Sequence, residues 1–180
     1  MIFPTTRFLR NAMTGFSVIG RFCLLFALSG CGAAEKVAPA KPELPVDPIA
    51  QLRNEGRELF NGRCIVCHQA DGRGLPGVYP PLAGSPWLLD ADSRERATKI
   101  VLYGLMGNIE VNGHRVDGQM PNFNLTDRQI AGALTYVRGA WSNDAPPVEE
   151  DFVASIRAKC GNRGPWTPYE ILAQHPVRLR

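Results

Sequence analysis

Cys64-Ile65-Val66-Cys67-His68 is the stretch of this chain that decides how the rest is read. Two thiols three positions apart, followed at once by an imidazole, form the C-x-x-C-H attachment pattern for a c-type haem. Each thiol can make a thioether to one vinyl group of the same porphyrin, and the next residue then carries its imidazole to the iron as proximal ligand. A thioredoxin-like redox pair would need a surrounding βαβ pattern, which is missing. A four-ligand zinc site would need a second Cys/His pair, whereas His114 and Cys160 stand alone. One haem, held by Cys64, Cys67 and His68, is the reading that remains.

An iron that only passes electrons needs a sixth ligand, and four side chains are candidates: Met106, Met120, His114 and His175. Met120 lies in Gly118-Gln119-Met120-Pro121-Asn122-Phe123, an expected irregular loop just ahead of a helix. Its thioether is a soft ligand that favours ferrous iron and raises the reduction potential. Met106 is expected to fill core space at the end of a helix, the usual fate of methionine. His114 follows Asn112-Gly113 at the tip of an expected hairpin, and His175 lies in the tail before Pro176. Met120 is therefore the expected ligand.

Working outward, Asp47-Pro48 starts a helix with an N-cap acid and a proline at the first helical position. Ile49, Leu52, Gly56, Leu59 and Phe60 recur at helical spacing, and Gly62 is expected to end the run. From Gly72 to Gly84 the chain is too rich in glycine and proline for a regular element. Such a stretch can wrap the edge of a flat cofactor. A second helix is expected after Asp92 or Ser93, with Ala97, Ile100, Val101, Gly104 and Leu105 on one face. Residues 108 to 117 suit a short hairpin. Thr126 and Gln129 form a capping box, with Leu125 and Ile130 placed as a hydrophobic staple. Ile130, Ala133, Leu134 and Val137 continue that helix, and Trp141 is expected to extend it.

The front of the chain reads as an address. Of 20 Lys+Arg against 17 Asp+Glu, Arg7, Arg10 and Arg21 are alone in the first thirty residues, so the remainder is formally neutral. That balance excludes a nucleic-acid partner. Phe22 to Leu28 spans only about 10 Å as a helix, against the roughly 30 Å of a bilayer core, so residues 1–30 suit an export signal. Leu28-Ser29-Gly30-Cys31 resembles a bacterial lipoprotein cleavage box, which implies a lipid on Cys31. The other reading is an ordinary cleavage site and a soluble periplasmic product. Residues 31–48 hold Pro39, Pro42, Pro45 and Pro48 and form a semi-rigid tether reaching at most about 50 Å.

Residues 49–142 resemble a class I cytochrome c domain. The resemblance rests on the first helix with Gly56 and Phe60, the Cys64–His68 motif, Pro81-Leu82, Met120-Pro121, and a last helix with Leu134, Tyr136 and Val137. It implies an all-α fold around covalent haem c, with the first and last helices crossing at Gly56 beside Phe60 and Tyr136. It also implies a loop carbonyl at Pro80 or Pro81 that orients His68. Tyr103 to Trp141 resembles cytochrome subunits or fused haem domains that serve periplasmic dehydrogenases. The lysine ring of mitochondrial-type carriers is missing.

Residues 143–180 form an expected helical extension. Ala145-Pro146-Pro147 breaks the chain; Glu149, Glu150 and Asp151 then precede Phe152, Val153 and Ile156, and Arg157 and Lys159 precede Gly161. Acids first and bases last complement a helix dipole. Thr167 with Glu170 is a second capping box, with Trp166 and Ile171 as staple. These segments are expected to pack over the haem domain. Cys160 has two readings, a buried inert thiol or a link to another chain. Ser85, Ser93, Ser142 and Ser155 have no histidine placed beside them, and a peroxidase would need a second haem motif. The expected function is electron transfer by a membrane-anchored, monohaem His/Met cytochrome in the periplasm, exchanging electrons with a donor dehydrogenase and an acceptor oxidase or second cytochrome. The alternatives are a dedicated dehydrogenase subunit, or a haem-based sensor whose sixth site is open.

Overall fold

The structure, a computed structural model, describes residues 47–178; Cys31, the export signal and most of the tether lie outside the described residues. Helix α1 (Pro48–Leu59) begins where Asp47 accepts a hydrogen bond from the Ile49 amide at 3.0 Å, with Pro48 in the first turn. The chain does not stop at Gly62. It widens into a π-helical turn, Phe60–Cys64, and returns to α-geometry in α2 (Ile65–His68). Gln69, at φ 60°, ends the run directly after His68. The attachment motif thus lies on a continuation of α1, fixed by that helix's own packing.

Helix α5 (Asp127–Arg138) carries the expected capping box, with Thr126 and Gln129 bonded reciprocally. It crosses α1 where Gly56 faces Gly132, so closely that a Cβ on Gly56 would lie 1.9 Å from the Gly132 carbonyl oxygen. Phe60, Tyr136 and Trp141 seal one side of the crossing, their ring centroids 5.2 to 5.7 Å apart in tilted and edge-on contacts.

Trp141 does not extend α5. The helix ends at Arg138, and Trp141 takes a left-handed backbone, φ 51°. Its indole then donates to the Ala70 carbonyl at 2.9 Å and covers Gly72, where a Cβ would stand 2.5 Å from the ring. Asn143 makes a second tie to the wrapping loop. Its amide donates to the carbonyls of Leu82 and Val137, and its oxygen accepts from the Gly84 amide.

A short helix α3 (Pro86–Leu89) precedes α4 (Ser93–Tyr103). Ala97, Ile100 and Val101 of α4 face inward as expected, but Arg96 and Lys99 are also buried. Arg96 pairs with Asp90 at 2.7 Å and donates to the carbonyls of Pro86, His175 and Pro176. Lys99 pairs with Glu95 and donates to Gln174 Oε1 and His175 Nε2. Arg96 Nε has no partner, but the charge of each cation is paired with a nearby carboxylate and its other donors reach acceptors, several of them supplied by the tail, the condition under which burial of a charge is tolerated.

Strands β1 (Leu105–Val111) and β2 (His114–Met120) form an antiparallel hairpin, longer than expected, with Leu105 opposite Met120 and Val111 opposite His114. Its two-residue turn, Asn112-Gly113, holds both residues at positive φ, as tight hairpins require. Helix α6 (Glu150–Cys160) packs on α5 and α4, and α7 (Pro168–Gln174) packs on β1 after its capping box at Thr167 and Glu170. The tail therefore lies over the body of the domain.

Candidate haem site

An apolar cleft opens among the π-helical turn, α4, α5 and the hairpin, walled by side chains such as Leu82, Leu88, Ile100, Val101, Phe123 and Leu134. Strand alternation decides what the hairpin contributes. Leu105 and Ile109 of β1 and Val116 and Met120 of β2 share the face turned to the cleft. Met106 has the opposite parity. It is not a helix-end core residue, as the sequence suggests, but an outward side chain that is 48% exposed.

Cys64, Cys67 and His68 line the same cleft as Met120. The π-helical turn delivers Cys64, and one helical turn later Cys67 and His68 follow. The two thiols are not joined to each other. Burial pushes the Cys64 thiol up, the charge of Cys67 adds to this, and Arg63 opposes it. The His68 ring is buried, and its Nδ1 lies 3.0 Å from the Pro80 carbonyl oxygen. Burial holds the imidazole pKa below its ordinary value, with the Pro80 bond opposing. A neutral ring whose Nδ1 donates to a carbonyl leaves Nε2 unprotonated, the form in which histidine binds metal. Pro80, one of the two expected positions, is the carbonyl that holds it.

The other sequence candidates lie elsewhere. His114 is exposed beside the hairpin turn. His175 is held by Lys99 and Glu95, and its pKa is lowered by burial and by the charge of Lys99. Neither lines the cleft. Cys160, half-buried at the end of α6, does not line it either.

The donor set suits a porphyrin. The walls are mostly apolar, the polar residues at them are few (Arg63, Tyr79, Ser85 and Gln119 beside the motif), and Gly118 leaves one stretch of wall without a side chain. Comparison with known proteins agrees. The cytochrome c family model matches residues 54–141. Cytochrome c-552 of Thermus thermophilus is 34% identical over 134 residues, covering 70% of this chain and 86% of that protein.

The chain belongs to the cytochrome c family.

It carries covalently bound haem c and transfers electrons. This cytochrome is also similar to parts of larger proteins. The cytochrome c subunit of a quinone-dependent alcohol dehydrogenase from Gluconobacter oxydans is 32% identical over 95 residues, 52% of this chain but 20% of that subunit. The fructose dehydrogenase cytochrome subunit of Gluconobacter japonicus is 32% identical over 133 residues, 69% of this chain and 26% of that subunit.

Three contributors to the site of this cytochrome escape the motif reading. Helix α3 shapes the cleft through Trp87 and Leu88, and the Trp87 indole donates to the Glu110 carbonyl at 3.0 Å, fastening α3 to β1. Ser85-Pro86 is a cap-then-proline signal that marks this helix. Asn143 and the turned-back Trp141 have no comparable local signal, since their partners lie about sixty and seventy residues earlier.

Proposed function

We propose that this cytochrome is a monohaem electron carrier with His68 and Met120 as axial ligands, held by thioethers at Cys64 and Cys67. The single observation that carries the reading is that these four side chains, separated by up to 56 positions, line one apolar cleft. Bound haem c supplies a one-electron Fe(II)/Fe(III) couple. The chain's part is to hold His68 neutral and oriented through Pro80, to present the soft sulfur of Met120, and to keep water from the cleft with apolar walls. With both axial sites filled no substrate reaches the metal, so the protein acts as a carrier and not as an enzyme. Val66, between the two cysteines, is 72% exposed. The attachment segment therefore faces solvent, and this side is where redox partners exchange electrons.

The proposal extends to location. Residues 1–30 act as export signal, Cys31 carries the lipid, and residues 31–48 tether the domain of residues 49–142 and its extension, 143–180, to the periplasmic side of a membrane. Among the described residues no helix is long and apolar enough to cross a membrane. The partners are a donor dehydrogenase and an acceptor oxidase or second cytochrome. Similarity to the dehydrogenase cytochrome subunits also favours a second reading, a bound subunit serving one dehydrogenase. Mass spectrometry of the exported protein is expected to show a mature chain that begins at Cys31 with a diacylglyceryl group; a first residue elsewhere removes the anchor.

Met120→Ala tests the ligand assignment. Sulfur favours ferrous iron, so its loss is expected to lower the reduction potential by on the order of 0.2 V, within the roughly 0.8 V that axial ligands span. The weak far-red absorption of sulfur bonded to ferric iron is expected to vanish as well. Survival of that band in Met120→Ala would hand the role to another residue.

A further inference from the structure

We propose that Trp166, in the C-terminal extension, is a positioning residue for Met120: it closes the open end of the hairpin and thereby sets how firmly the thioether is held. The inference rests on the reading of Met120 as an axial ligand and goes beyond it to a segment outside the matched family region, residues 54–141.

Met120 is the last residue of β2 and Leu105 the first of β1, so the pair lies at the end farthest from the Asn112-Gly113 turn. A lone two-stranded hairpin is marginally stable, and its open end is not covered by the turn. Trp166 closes it. Its amide donates to the Gly104 carbonyl at 3.0 Å, and its carbonyl accepts from the Met106 amide at 2.9 Å. Leu105 is bracketed by these two bonds in a parallel bridge, with Met120 across it on the other side. Trp166, Leu105 and Met120 thus stand abreast as three strand positions, and the outer edge of β1 is paired where it would otherwise be bare.

The tail is itself fixed from both sides. Trp166 is 4% exposed, with the Arg163 guanidinium 3.3 Å above its ring centroid and Lys99 Nζ at 5.2 Å. Pro168 packs beside Gly107, where a Cβ would stand 3.1 Å from the proline ring. Beyond α7, the Gln174 and His175 side chains accept from Lys99, and the carbonyls of His175 and Pro176 accept from Arg96. Buried cations on α4 hold the far end of the tail, and Trp166 passes that restraint to the strand opposite Met120. Gly104 completes the fit. At φ +86°, it has room for no side chain, because a Cβ would lie 2.6 Å from the Met120 carbonyl oxygen.

Imidazole is the probe, because it can bind ferric iron only while the thioether is away. Its apparent affinity therefore reports the population of that open state. Alanine and phenylalanine both keep the amide and carbonyl that bridge Leu105, so the variants differ in the buried ring that anchors them. In haem-loaded Trp166→Ala, which loses that ring, the apparent affinity for imidazole is expected to rise about tenfold, while Trp166→Phe, which keeps a ring, stays within about twofold of the parent. A role confined to stability would lower the melting temperature and leave imidazole binding unchanged, and that result overturns the proposal. Coupling is reciprocal, so saturating imidazole on the unsubstituted protein is expected to speed amide exchange at Trp166 and Met106 about tenfold. Unchanged exchange there overturns the proposal even where Trp166→Ala fails to fold. If the unsubstituted protein lacks the far-red sulfur band, the ligand reading itself falls and this proposal with it. If the band is present and both imidazole tests are flat, the ligand reading stands and only this proposal falls.

Discussion

Gly56→Ala is expected to destabilise the haem-loaded protein by about 3 kcal/mol or more, at the upper end of what overpacking costs. The added methyl would stand 1.9 Å from the Gly132 oxygen, 2.2 Å from its carbonyl carbon and 2.8 Å from the Ala133 nitrogen. All three are backbone atoms inside α5, so no side-chain rotation relieves the clash and the two helices must move apart. Separation loosens the contact of Phe60 with Tyr136 and shifts the π-helical turn that delivers Cys64 to the cleft. Gly132→Ala is expected to cost less, because its Cβ would meet the Leu52 oxygen at 3.0 Å and the Gly56 nitrogen at 3.2 Å, which a small shift can absorb. Gly62 is the control. It lies in the same continuous helix with nothing within 4 Å of a Cβ, so Gly62→Ala should be neutral or stabilise by up to about 1 kcal/mol. Guanidinium unfolding of the three variants ranks them directly. A Gly56→Ala midpoint equal to that of Gly62→Ala would show that the helices do not approach as described.

Much of this architecture is written in local chemistry. The capping boxes at Thr126/Gln129 and Thr167/Glu170, the Asp47-Pro48 start and the Asn112-Gly113 turn are each decided by residues within four positions of one another. The attachment motif is equally local, since two thiols and an imidazole in five consecutive positions have few other uses. Three features were not legible in this way. Gly62 carries only about a 1 kcal/mol penalty within a helix, too little to stop a run anchored at Phe60, and the chain answers with a π-helical turn instead of an end. Trp141 obeys helical spacing, yet it turns back because Ala70 and Gly72 offer its indole a bond and a flat surface. Arg96 and Lys99 occupy positions that periodicity assigns to solvent. Their burial becomes possible only when Pro176, His175 and Gln174 return some eighty residues later with acceptors.

The same distinction explains the methionines. The sequence favours Met120 over Met106 by local context alone, and in the structure the two methionines differ in strand parity. That parity depends on register, and register is set by the turn, which fixes Val111 opposite His114 and so Leu105 opposite Met120. The expectation of a helix through Met106 erred because Leu102 and Tyr103 continue an apolar pattern up to Gly104. At Gly104, φ +86° ends α4 and the strand begins with the next residue.

The largest effect is expected from the chain that never receives its haem. Cys64→Ala combined with Cys67→Ala is expected to yield a polypeptide that is largely unfolded at room temperature. A domain of about 95 residues has a modest core. Here the π-helical turn, α3, α4, α5 and the hairpin all turn apolar side chains toward one cleft, so much of the contact among them runs through whatever fills it. Leaving the cleft empty removes the dispersion partners of Leu82, Ile100, Val101, Phe123 and Leu134, and admitting water hydrates the same walls; either outcome costs several kcal/mol on the scale of single large-to-small core changes. That loss is comparable to the whole stability of a small domain, about 5–15 kcal/mol. The α1/α5 crossing and the clamped tail do not offset it. The crossing joins two helices of 12 residues each, near the lower limit for helices that persist without packing, and the tail needs a formed hairpin to grip. Far-UV circular dichroism of the purified double variant is expected to show little helix and no cooperative melting. A native-like spectrum with a sharp transition would mean that side-chain packing alone specifies this fold, and that the porphyrin enters a site already built.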